Sequence, residues 1–116
     1  MSAELIIRKL NDVSVVDVTG RIVLGESSKA LRDAVAGLLA NGERNIILSL
    51  GGVNYIDSAG IGELVHSTTT VTKQGGKLKL LNVTKRVKDL MRLTGIAQLF
   101  ETYEDERLAL ESFSRA

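Results

Sequence analysis

The stretch VNYIDSAGIGEL, residues 53–64, decides how this chain is read. Ser58 stands between an aspartate, Asp57, and a predicted helix start that carries two glycines, Gly60 and Gly62. A glycine in a helix interior costs roughly 1 kcal/mol relative to alanine. Two of them in one turn call for a reason, and the simplest is a bare surface that something approaches closely.

Working outward, residues 45–50 (NIILSL) are almost continuously apolar. That predicts a central strand covered on both faces, broken by Gly51 and Gly52. A helix is predicted over about 58–73, with Ile61, Leu64, Val65 and Thr68 inward and Gly75-Gly76 as its stop. Residues 77–83 (KLKLLNV) read as the next strand. Thr84 then caps a helix to about residue 94, with Val87, Leu90, Met91 and the following Ile96 inward and Gly95 at its end. LFETY (99–103) reads as a short last strand, and 104–113 as a final helix.

Toward the N-terminus, residues 4–10 and 13–19 read as two strands joined by Asn11-Asp12, a hairpin. GRIVLGESS leads from Gly20 into a helix over about 28–40, whose Leu31, Ala34, Val35, Leu38 and Leu39 form one apolar stripe. Asn41-Gly42 ends it. The order β-β-α-β-α-β-α-β-α predicts an α/β fold. Its sheet is mixed, with the first two strands antiparallel and the later ones parallel through right-handed crossovers, and it carries about four helices.

Composition narrows the function. With 116 residues, one domain over 1–116 is expected. The chain has no cysteine, which excludes disulfides and thiolate metal sites and fits a reducing compartment. No apolar run is long enough for a membrane span and no signal-peptide pattern opens the chain, so the expected location is the cytoplasm, away from membranes. A formal net charge of +1 and 3% aromatic residues give no basis for nucleic-acid binding.

The sequence also argues against an enzyme. The only histidine, His66, lies eight residues beyond Ser58 on the same predicted helix, so about 12 Å along its axis, too far to activate the serine. The pattern G-x-S-x-G fails because Ile56 stands where its first glycine belongs. Gly60 and Gly62 give G-x-G, but Val65 breaks the dinucleotide fingerprint, and no G-K-[ST] occurs. Asp57 as a phospho-acceptor would need magnesium held by several acidic oxygens. The first two strands end in Leu10 and Thr19 and supply none. No metal or cofactor is therefore expected. Asp57 is expected to hydrogen-bond backbone at the helix entry. Read from the residues alone, Ser58 is the N-cap of the helix.

Three segments carry a resemblance. DSAGIG at residues 57–62 is the most specific, LLNV to LTGI across residues 80–96 the second, and TGRIV at residues 19–23 the third. Together they resemble the STAS domain family, and more closely its bacterial anti-sigma factor antagonists. The resemblance implies a STAS-like fold over nearly the whole chain, and a module without catalysis of its own. It implies that Ser58 is phosphorylated by a serine kinase that is also the anti-sigma factor. The unphosphorylated form would bind that kinase and free a sigma factor; the phosphorylated form would let go, and a phosphatase would reset it. The implied contact surface covers Asp57, Ser58, Ala59, Gly60, Ile61 and Gly62, with Arg21 and Glu26 beside it. Family members commonly carry an aspartate shortly after the glycine matching Gly20. Here Val23 occupies that place, and Glu26 is the acidic residue that could substitute. The free protein is expected to be a monomer or a weak homodimer.

The basic run at residues 85–88 reads first as a solvated face, and topology gives Lys85 and Arg86 a second reading. The helices that begin at 58 and 85 both follow parallel strands, so their N-termini should emerge at one edge of the sheet. Lys85 and Arg86 would then flank Ser58 and face an acidic patch on the kinase. Two other readings remain at this stage. One is a STAS module that is never phosphorylated, a subunit of a signalling or lipid-transport assembly in which Ser58 is only a cap. The other is a small nucleotide-binding domain that uses the glycine-rich helix start as an anion cradle.

Overall fold

A computed structural model describes residues 3–114. The chain runs β1 (Ala3–Leu10), β2 (Val13–Ile22), α1 (Glu26–Ala40), β3 (Asn45–Ile56), α2 (Ser58–Lys73), β4 (Lys77–Leu81), α3 (Lys85–Leu93), a 3-10 turn (Ala97–Leu99), β5 (Thr102–Tyr103) and α4 (Glu106–Ser112). The strands lie in the order β1-β2-β3-β4-β5, with β1 antiparallel to β2 and every later pair parallel. This is the mixed sheet with four helices expected from the pattern of elements.

Alternation along the strands sends residues to two different cores. On one face Val16, Val18, Ile46, Leu48, Leu50, Leu78 and Leu80 pack against α1, α2 and α3 through Leu31, Val35, Leu64, Val71, Val87 and Met91. On the other face Val13, Val15, Ile47 and Leu81 pack against α4 through Ala109, Leu110 and Phe113. Each fully buried aliphatic side chain contributes roughly 1.5–3 kcal/mol. Lys79 points into the α4 face and is 4% exposed. Its ammonium reaches Ser112 Oγ at 2.8 Å and Glu101 at 3.3 Å, and lies 4.4 Å from the centre of the Phe113 ring.

Several boundaries differ from those expected, each for a physical reason. Gly51 and Gly52 do not break β3. The strand continues to Ile56 because β2 also continues, and the two pair through Gly20–Val53, Arg21–Tyr55 and Ile22–Ile56. Two register shifts, opposite Asp17–Thr19 and opposite Gly20–Arg21, each put one extra β3 residue against β2 and absorb the irregularity. Helix α1 starts at Glu26, before the expected residue 28. The Ser27 hydroxyl accepts the Val23 N–H at 2.8 Å and folds the chain into the turn early. Strand β4 stops at Leu81 because Asn82 turns with φ of 57°. Of the expected strand 99–103 only Thr102 and Tyr103 pair; Leu99 ends the 3-10 turn and Phe100 is buried in the larger core. Helix α4 begins at Glu106 because Asp105 caps it, accepting the N–H of Arg107 at 2.8 Å.

Candidate functional site

The site is the corner where β3 passes into α2. The continued pairing of β2 with β3 delivers Asp57 beside the end of β2, where its backbone N–H donates to Ile22 O at 3.2 Å. Its carboxylate then does two things. Oδ1 accepts the Gly60 N–H at 2.8 Å, and Oδ2 accepts the Leu24 N–H at 3.0 Å. These contacts, Leu24 first and Gly60 second, hold the Asp57 carboxyl below the usual aspartate range. Asp57 bonds backbone at the helix entry, as expected.

Asp57, and not Ser58, is therefore the N-cap of α2. The N-cap reading of the serine is corrected because Asp57 has the extended backbone of a cap and its charged carboxylate already accepts the Gly60 N–H. Ser58 is the first residue of the helix, exposed. Among the described residues its hydroxyl makes no hydrogen bond. The corner thus presents a free hydroxyl on a rigid helix start, at the positive end of the α2 dipole.

The two glycines have different causes. A Cβ on Gly60 would lie 2.6 Å from Ile56 Cγ1 and would also strike the Ile22 carbonyl. Gly60 is buried, and it lets α2 press against β2 and β3. The expectation that it opens a surface to a partner is corrected here. Gly62 is exposed, and a Cβ there would meet nothing within 4 Å. Packing inside the chain gives it no reason. Ile61 between them is 5% exposed and belongs to the core, so it is no surface anchor. Ala59 is half-buried and lines a pocket of about 330 Å³ with Arg32, Gly62, Glu63 and His66.

The remaining expected residues divide. Arg21 is exposed and stacks its guanidinium on Tyr55, 4.7 Å from the ring centre. Glu26 is exposed in the first turn of α1, two residues beyond Leu24, which Asp57 holds. Lys85 and Arg86 lie at the start of α3 and line an open groove of about 640 Å³ with Tyr55, Ile56, Asp89, Leu90 and Leu93. The groove brings them to Tyr55 and Ile56, the residues that lead into Asp57 and Ser58. Lys85 is paired with Asp89 at 3.0 Å, whereas Arg86 has no carboxylate partner among the described residues.

Three features were not anticipated. Leu24, held by Asp57, is 78% exposed, and Leu93 at the groove is 85% exposed. A single apolar residue between Val23 and Gly25 in a turn was the available signal for the first. Glu63 is buried in α2, where Arg32 Nε reaches its Oε1 at 2.9 Å and Ser67 Oγ donates to its Oε2 at 3.2 Å. That pair ties α1 to α2 immediately behind Ser58. Glu63 and Ser67, four apart on a stripe with Leu64 and Val71, could have marked it. His66 is exposed at the rim of the same pocket.

Among the described residues no cluster of three or more His, Asp or Glu could hold a metal ion. No helix among them is long and apolar enough to cross a membrane.

The family model for the STAS domain matches residues 4–109, and the chain belongs to the STAS domain family. It is similar to the anti-sigma-B factor antagonist of Bacillus subtilis (strain 168), with 34% identity over 91 residues, 78% of this chain and 81% of that protein. The fold is similar to that of an anti-sigma factor antagonist from Mycobacterium paratuberculosis, with a TM-score of 0.80, 22% identity, and coverage of 96% of this chain and 93% of the other. It is similar as well to the phosphorylated form of the Bacillus cell fate determinant SpoIIAA, with a TM-score of 0.75, 15% identity, and coverage of 95% and 99%.

Proposed function

We propose that this chain is an anti-sigma factor antagonist whose binding is switched by phosphorylation of Ser58. The observation that carries the reading is the division of labour at the corner. Asp57 caps α2 and holds the Leu24 loop, which leaves the Ser58 hydroxyl exposed and unbonded. Since Asp57 is the cap, no hydrogen bond of the described fold depends on the Ser58 hydroxyl. The relative from Bacillus subtilis bears the name of an antagonist of an anti-sigma factor, and a fold-level neighbour is described in a phosphorylated form.

In this reading the unphosphorylated chain docks on an anti-sigma factor that is also a serine kinase, and so frees the sigma factor. The contact surface is Ser58, Ala59 and Gly62 on α2, with Leu24 and Glu26 on one side and Arg21, Lys85 and Arg86 on the other. Gly60 and Ile61 act from beneath, by setting the position of the helix. A phosphate brings about −2 charge. At the start of α2 it meets free N–H groups and the positive dipole end, so the fold tolerates it. In the complex the same charge would be desolvated against a surface shaped for a hydroxyl. A penalty of about 3 kcal/mol already weakens binding more than a hundredfold. A phosphatase then restores the binding form.

The test is binding of purified protein to its cognate kinase before and after incubation with ATP. The account expects a stable complex before phosphorylation, loss of the complex afterwards, and circular dichroism and melting nearly unchanged between the two forms. Persistent binding by the phosphorylated protein would contradict it.

A further inference from the structure

We propose that strand β1 is a self-association edge that pairs antiparallel with β1 of a second copy, with Ile6 at the two-fold axis. β1 stands at the end of the sheet, and among the described strands only β2 pairs with it. Edge strands are ordinarily blunted by shortness, proline, a bulge, charged side chains (lysine above all) or a covering element, because their free N–H and C=O groups template pairing with another chain. β1 carries Glu4, Arg8 and Lys9, of which Arg8 and Lys9 are already paired within the chain, with Asp17 and Glu43. The other edge is blunted by shortness: β5 has two residues. β1 has eight residues, and its register with β2 runs from Ala3 to Leu10 without a shift. The chain contains no proline. Ile6 is 57% exposed and Ile7 49% exposed, one on each face of this edge.

The sequence of β1 is complementary to itself in one register. In a continuous sheet made by a two-fold axis normal to it, paired residues share a face, so their numbers sum to an even value. With Ile6 opposite Ile6 of the second copy, Glu4 falls opposite Arg8 and Arg8 opposite Glu4. On the other face, Leu5 falls opposite Ile7 and Ala3 opposite Lys9. Opposite charges and apolar pairs directly across antiparallel strands are the stabilising combinations. Glu4 is exposed and has no ion-pair partner among the described residues. Arg8 is held rigid by Asp17 at 2.6 Å and Glu106 at 2.6 Å, with Nη1 left free. Centring on Ile7 instead would oppose Ile6 to Arg8 and Leu5 to Lys9. Centring on Leu5 would oppose Glu4 to Ile6 and leave Arg8 unmatched. Self-complementarity in a single register commits the edge to a second copy rather than to an unrelated strand. β2 separates this edge from β3 and the Ser58 corner, so the inference does not depend on the proposed phosphorylation.

The absence of native cysteine makes the test direct, since a single introduced thiol can cross-link only between copies. Residues directly opposite in an antiparallel pair bring their Cβ atoms to about 4.5–5.5 Å, near disulfide reach. Ile6→Cys should form a covalent dimer under mild oxidation, and Ile7→Cys should largely fail to. By sedimentation, the wild-type chain should show a concentration-dependent dimer that Ile6→Lys abolishes, with circular dichroism unchanged because the position is exposed. Three results on self-association itself would overturn the proposal. They are a wild-type monomer at every concentration up to millimolar, a dimer indifferent to Ile6→Lys, and equal cross-linking of the two cysteine variants. Loss of kinase binding by Ile6→Lys without a change in self-association would also overturn it, by assigning the edge to another protein.

Discussion

The carboxylate of Asp57 accepts the backbone N–H of Leu24 at 3.0 Å, and with its other oxygen the N–H of Gly60 at 2.8 Å. One side chain thereby fixes both the start of α2 and the turn before α1. Everything proposed for Ser58 depends on this division, because it frees the serine from structural duty.

Substitution should separate the two residues. Ser58→Ala removes no hydrogen bond within the described chain, so its stability should stay within about 0.5 kcal/mol of wild type. Asp57→Ala removes the cap and the Leu24 contact together, and its urea unfolding midpoint should fall clearly further. Equal losses in the two variants would return the cap to Ser58.

The two glycines should respond with opposite signs. Gly62→Ala meets open space and gains helix propensity, so it should stabilise the free protein by up to about 1 kcal/mol. The same change should weaken kinase binding, if Gly62 is kept bare for a partner. Gly60→Ala forces a methyl group onto Ile22 and Ile56 and should cost about 1–3 kcal/mol. Denaturation of both variants, with binding measured for Gly62→Ala, decides the matter. A destabilised Gly62→Ala would mean that the glycine serves the fold.

Acid should undo the corner with a defined sign. The folded state holds Asp57 below its ordinary pKa, chiefly through Leu24 N–H and then Gly60 N–H. The unfolded chain keeps a value of about 3.9. The stability from this group is therefore fully present above about pH 4, and is lost as pH falls through the lower folded value. Carboxyl NMR should show Asp57 titrating below a free aspartate, with the Leu24 and Gly60 amide shifts following the same curve. A midpoint at or above the free value would contradict the geometry.

The groove cations should act on association more than on fold. Lys85→Ala combined with Arg86→Ala should slow kinase binding and flatten its salt dependence, since exposed charges steer encounter and are screened by salt. Melting should change little, because Lys85 pairs only with exposed Asp89 and Arg86 has no carboxylate partner among the described residues. Identical association rates for the wild type and the double variant, at low and at high salt, would make the cluster a solvated surface.

Much of this was legible in the sequence because hydrophobic period reports burial directly. The continuous run NIILSL and the stripe of Leu31, Val35 and Leu38 placed β3 and α1 with no knowledge of the fold. What escaped depended on contacts between distant segments. The extension of β3 through Gly51 and Gly52 requires its pairing, through two bulges of its own, with the end of β2. The cap at Asp57 instead of Ser58 is decided by Leu24, whose position depends on the Ser27–Val23 turn. The burial of Lys79 in KLKLL depends on α4, which brings Ser112 and Phe113 over it. The free Ser58 hydroxyl was the property least accessible from sequence, since either residue of Asp57-Ser58 is a competent cap.

The most direct measurement of the central claim is the site of phosphate transfer. The purified chain is incubated with its cognate kinase and ATP, and the product is mapped by mass spectrometry beside the Ser58→Ala variant. The account predicts one phosphate, on Ser58, with none on the alanine variant and that variant bound permanently to the kinase. Undiminished phosphate incorporation by Ser58→Ala, or a phosphate mapped to another residue, would contradict it.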